Sequence, residues 1–146
     1  MINGINFITQ KVDYKSLREI LLTANAEEYY WCVGDSDVYE MPPRKNILPK
    51  GIYSGASILE ILNRDTFYVF TELFAFDSLK DASRQKFDDY INGNCKIAIF
   101  VVDCNCYSVY VKDDSKFESV KNYANRINCR RVKILDETNA EFHFDL

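Results

Sequence analysis

Apolar positions recur along this chain with two periods, and the places where one gives way to the other outline the predicted elements. Ile5 to Ile8 reads as a short first strand. Leu17, Ile20 and Leu21 then fall at i, i+3 and i+4, the stripe of a helix that Asp13 is placed to cap and that fades near Asn25. Glu28-Tyr-Tyr-Trp-Cys-Val33 returns to strand and ends at Gly34. Asp35 to Asp37 reads as a turn, with Val38-Tyr39 opening a return strand. Met41-Pro-Pro43 to Gly51, with Pro49 inside it, reads as a surface loop. Beyond it, Ser54 offers a cap for a helix whose apolar face is Ile58, Leu59, Ile61 and Leu62.

The two most apolar stretches are Phe67 to Phe76 and Ile97 to Val102. Both alternating faces are apolar, the pattern of central strands covered on both sides. Between them Ser78 to Asn92 is predicted helical, with Phe87, Tyr90 and Ile91 inward and Gly93 as its stop. Asp103-Cys-Asn-Cys106 is a short turn into Tyr107-Ser-Val-Tyr-Val111, so 97–103 and 106–112 should pair as a hairpin. Asp114 or Ser115 can cap a helix carrying Phe117, Val120, Tyr123, Ala124 and Ile127. Arg131 to Leu135 reads as a strand, followed by a turn at 136–139. A last strand, Ala140-Glu-Phe-His-Phe144, sets Ala140, Phe142 and Phe144 against Glu141, His143 and Asp145.

Helices do not alternate strictly with strands in this order, which disfavours a doubly wound parallel sheet. The expectation is one α+β domain over residues 1–146. Its sheet is mixed and largely antiparallel, with helices packed on it and 67–76 and 96–103 at its centre.

Composition narrows the function. With 47% apolar and 27% charged residues the 146-residue chain is globular rather than disordered. A formal net charge of −4 speaks against a broad nucleic-acid surface. No run approaches the roughly 18 apolar residues of a membrane-spanning helix. The start of the chain lacks the basic, apolar and small-residue sections of a secretion signal, so a cytoplasmic protein is expected. Cys32, Cys95, Cys104, Cys106 and Cys129 are odd in number, and the expectation is reduced thiols rather than a disulfide framework.

Candidate chemistry is sparse. No glycine-rich loop exists to cradle phosphate. A Ser-His-Asp hydrolase would have to use His143, the one histidine, on the outward side of the last strand. Cys104-x-Cys106 is one residue tighter than a zinc pair, and no second pair exists to join it with Cys129 or His143. Neither a metal nor a cofactor is therefore expected. Glu72 and Asp103 are acids in or beside buried strands, where a pocket with Cys104 or Cys106 could use them. A mid-strand Glu more often meets a cation across the sheet. Arg126, Arg130, Arg131 and Lys133 are too few for an RNA-binding stripe.

The strongest signal lies between Glu27 and Glu40, where five acids and no base are interleaved with aromatic rings. Acids that steer and rings that supply contact area suit a basic protein partner. Glu28, Tyr29, Tyr30, Trp31, Asp35, Asp37 and Tyr39 are the candidate partner-binding residues.

Across most of the chain, Tyr30-Trp31, Tyr68-Val-Phe70, Leu73-Phe-Ala-Phe76, Asn94-Cys95, Val101-Val-Asp103, Val109-Tyr-Val-Lys-Asp113 and Ala124-Asn125 resemble a family of small bacterial cytosolic proteins of unknown function. The resemblance implies a bacterial, single-domain, cytosolic protein and brings no activity, ligand or catalytic residue. Two readings follow. The first is a non-enzymatic interaction module, in one form an immunity-type protein neutralising a basic toxin. The second is a small enzyme or small-molecule binder with a pocket beside the central strands.

Overall fold

Cross-strand register organises the molecule. The computed structural model describes residues 2–11, 15–40 and 45–140. Its strands are β1 (Gly4–Ile8), β2 (Tyr30–Glu40), β3 (Lys45–Asn46), β4 (Gly51–Ser54), β5 (Thr66–Phe76), β6 (Ile97–Val102), β7 (Cys106–Val111) and β8 (Arg131–Leu135). They join in the order β3-β2-β5-β6-β7-β1-β8, with β4 also beside β2, and every described ladder is antiparallel. The helices are α1 (Ser16–Thr23), α2 (Gly55–Ile61), α3 (Phe87–Asn92) and α4 (Asp114–Arg126). The expected α+β class and the central place of β5 and β6 both hold. Asp13, the Met41-Pro42-Pro43 stretch, His143 and the closing strand beyond Ala140 lie outside the described residues.

One face of the sheet, here the inner face, carries Ile5, Phe7, Trp31, Val33, Val38, Tyr68, Leu73, Ile99, Val101, Tyr107 and Val109. Helices α1, α2 and α4 cover it with Leu17, Ile20 and Leu21, with Ile58 and Leu59, and with Phe117, Val120, Tyr123 and Ala124. Each helix lays one apolar stripe on this core, the arrangement that turns a period of 3.6 into burial. Caps fix where helices begin: Ser54 Oγ accepts from Ser57 N–H, and the Asp113 carboxylate accepts from Lys116 N–H. The α4 cap is thus one residue earlier than Asp114. Just past α1 and α4, Asn25 and Asn128 adopt left-handed backbone (φ 55° and 57°), which Asn tolerates better than most residues.

Two local features depart from the sequence reading. Asp35 to Asp37 form no turn; β2 runs unbroken from Tyr30 to Glu40. Val33 pairs with Leu73 and Ser36 with Thr71, so Gly34 and Asp35 together face Glu72 in a bulge. The extra residue lets Val33 and Val38, five apart, both point inward. A second register shift, where Asp37 pairs with Phe70 and Val38 with Tyr68, leaves Val69 as the extra residue on β5. The predicted helix over 78–92 also breaks. Only a 3-10 turn at Leu79–Asp81 and α3 form, with residues 82–86 extended between them. That stretch gives up helical hydrogen bonds, and Arg84 reaches Glu72 from it.

Candidate functional site

On the outer face the cover is smaller. Tyr90 of α3, with Phe87 and Ala82, packs on Cys32, Phe74, Phe76, Ala98, Phe100 and Tyr110. This cover lies at one end of the strands. At the other end a single row crosses six strands: Asp37 opposite Phe70, Phe70 opposite Val102, Val102 opposite Cys106, Cys106 opposite Ile8, and Ile8 opposite Arg131. Directly paired residues project from the same face. Phe70 is 39% exposed, and Val102, Cys106, Ile8 and Asp37 are half-buried. Tyr39 pairs with Phe67 next to this row. Phe67 is 36% exposed, whereas its neighbours Thr66 and Tyr68 are sealed on the inner face. Two phenyl rings, a tyrosine and three aliphatic or thiol side chains therefore form an apolar strip with a carboxylate at one end and a guanidinium at the other.

A charged network separates the strip from the covered end. Glu72, only 5% exposed, accepts at Oε1 from Arg84 Nε and from the Asp35 backbone N–H, each at 2.8 Å. Arg84 also reaches Asp35 at 3.3 Å, and Lys50 stands 3.4 Å from the same carboxylate. A Cβ on Gly34 would lie 2.8 Å from Glu72 Oε1, so glycine is what allows the carboxylate to lie over the bulge. The common expectation for a mid-strand Glu, a cation across the sheet, is met in modified form by a cation from the 82–86 stretch.

The predicted partner-binding residues separate into two groups. Trp31 is fully buried, donating from Nε1 to Ala26 O at 3.0 Å, and Tyr29 packs edge-on against it at 6.2 Å. As surface contributors both are corrected: strand alternation turns Trp31 and Val33 to the helices, and Tyr29 lies 8% exposed beneath Lys116. Glu28 is exposed but paired with Lys116 at 2.7 Å. Burial opposes the charge on Lys116, yet the hydrogen bonds of Glu28 and Tyr29 prevail and raise its pKa. Tyr30 remains 40% exposed, at the far end from the strip. Asp35 joins the Arg84 network, while Asp37 and Tyr39 stand on the strip itself. Three of the five acids of 27–40 are thus matched internally, Glu40 by Arg64 at 3.2 Å. Sequence reasoning missed Phe67 and Phe70, because a run apolar on both sides reads the same whether its cover is complete or partial.

With that geometry in view, a family model described as protein of unknown function (DUF2691) matches residues 2–144. The chain belongs to that family. No curated protein and no solved structure matches it.

In this DUF2691 member the residues named for a pocket beside the central strands differ in depth, from exposed Asp103 to buried Glu72 and Cys104. Asp103 is exposed in the β6–β7 turn, where it and Cys104 take the left-handed backbone a tight hairpin turn requires. Cys104 is buried; its Sγ donates to Tyr68 O at 2.9 Å and accepts from Tyr68 N–H at 3.1 Å. The thiol stands in for a strand partner where β5 bulges at Val69. Burial raises its pKa. Burial, then the charge of Glu72, raises that of Cys32, and burial pushes Cys95 up to about 12. These are protonated thiols at neutral pH, poor nucleophiles and poor ligands. No group of three or more His, Cys, Asp or Glu among the described residues could hold a metal ion. A groove of about 520 Å³ beside α3, lined in part by Arg84, Asp81, Asp88 and Asp89, contains none of Glu72, Asp103, Cys104 and Cys106. No helix among the described residues is long and apolar enough to cross a membrane.

Proposed function

We propose that this protein is a non-enzymatic interaction module that docks a protein partner on the uncovered half of its outer sheet face. The observation that carries this reading is the exposure of Phe67 and Phe70 beside Tyr39 and Asp37. Solvent-facing rings grouped on a rigid sheet supply contact area at little entropic cost, and the neighbouring acid orients a basic group of the partner. A module of this kind acts in the reducing bacterial cytoplasm, in keeping with its five free thiols. An immunity-type role, with a basic toxin as the partner, is its finer form.

The test is a photo-crosslinking amino acid at position 70, with position 22 as control, since Leu22 is 46% exposed on the helix side. Irradiation in the native cell should give a discrete covalent adduct from position 70 and none from position 22. Absence of an adduct at 70, or equal adducts at both, overturns the reading.

A further inference from the structure

We infer that the partner on this face is a second copy of the same chain, an inference that rests on the docking reading above. The strip is complementary to itself. Its row runs Asp37, Phe70, Val102, Cys106, Ile8, Arg131, acid to base, with only apolar and thiol groups between. Neighbouring strands lie about 4.8 Å apart, so the row is about 24 Å long. Its midpoint falls between Val102 and Cys106.

A two-fold axis parallel to the strands above that midpoint lays one sheet on the other and reverses the row. Asp37 of each copy then faces Arg131 of the other, twice, and the apolar centres meet. Sheets stacked this way keep their strands nearly aligned, a common mode of sheet-on-sheet packing. A two-fold axis also makes the interface isologous, the commonest form of homodimer. The alternative axis, along the row, would set Asp37 against Asp37 and Arg131 against Arg131, and charge excludes it. Unlike Asp35, which Arg84 and Lys50 engage, Asp37 has no ion pair among the described residues. Cys106 lies about half a strand spacing from the axis, so its half-buried thiol sits opposite Val102 of the other copy and one strand spacing along the row from that copy's thiol.

Sedimentation of the full chain over a range of concentrations reads the assembly. The wild type should dimerise, more weakly as salt rises. Asp37→Lys and Arg131→Glu each place like charges in both contacts and should weaken the dimer about tenfold or more. The double variant exchanges the ends and should recover the wild-type constant. A short bis-maleimide should join two chains through Cys106, and Cys106→Ser should abolish the product. Thermal unfolding of each variant separates lost association from lost folding.

A wild type that stays monomeric, single charge variants that dimerise unchanged, or a double variant that fails to recover while still folded would each overturn the inference. The position-70 adduct separates the two levels. An adduct with a different polypeptide rejects the second copy and leaves the docking face standing, whereas no adduct rejects both.

Discussion

At the residue scale, glycine and charge determine how closely backbones approach. A Cβ on Gly55 would fall 1.9 Å from Ala26 O, because the start of α2 is pressed against the 26–28 turn and Gly55 N–H donates to Tyr29 O at 3.0 Å. A backbone oxygen has no rotamer to retreat into. Gly55→Ala should therefore cost about 3 kcal/mol or more, read by urea unfolding. The Glu72–Arg84 pair calls for a double-mutant cycle. Arg84 is largely exposed, which limits the coupling to about 1 kcal/mol despite the burial of Glu72. Little of this was legible beforehand. The sequence places an acid in a strand and an arginine twelve positions on; only the fold shows that the intervening chain doubles back.

At the element scale, the bulge at Gly34-Asp35 sets the facing of everything after it in β2. Deleting Asp35 would leave Val33 and Val38 four apart, both still inward in a regular strand, while removing the carboxylate that Arg84 and Lys50 engage. The loss should be about 1 kcal/mol by urea unfolding, with hydrogen exchange of β2 beyond Val38 unchanged. Asp113→Ala, which removes the α4 cap, should cost about 1 kcal/mol. Regular elements were readable because periodicity reports burial: Leu17, Ile20 and Leu21 of α1 and the alternation of β7 are where the pattern places them. Irregular ones were not. A bulge leaves no periodic trace, so Asp35 to Asp37 read as a turn and two consecutive stretches of one strand read as a pair.

At the scale of the whole molecule, buried groups that must stay protonated set the alkaline limit. Burial holds the Cys95 proton up to about pH 12, against an ordinary value of 9.0, and also raises Tyr90. The native state thus binds these protons more tightly than the unfolded chain. Their contribution to stability is complete below about pH 9 and is lost as pH climbs toward 12. The melting temperature should fall across that window, and Cys95→Ala should flatten the fall. Trp31, the one tryptophan, reports on the inner core. Its fluorescence should resist iodide until global unfolding; early quenching would contradict its burial.

Cys104 fastens the corner beneath Phe67 with sulfur instead of an amide. A fastening made of sulfur can be timed: a thiol reagent reaches it only in the moments when that corner lifts away from Tyr68. Its labelling rate is therefore a clock for the breathing of the aromatic corner. Whatever settles on the outer face should slow that clock.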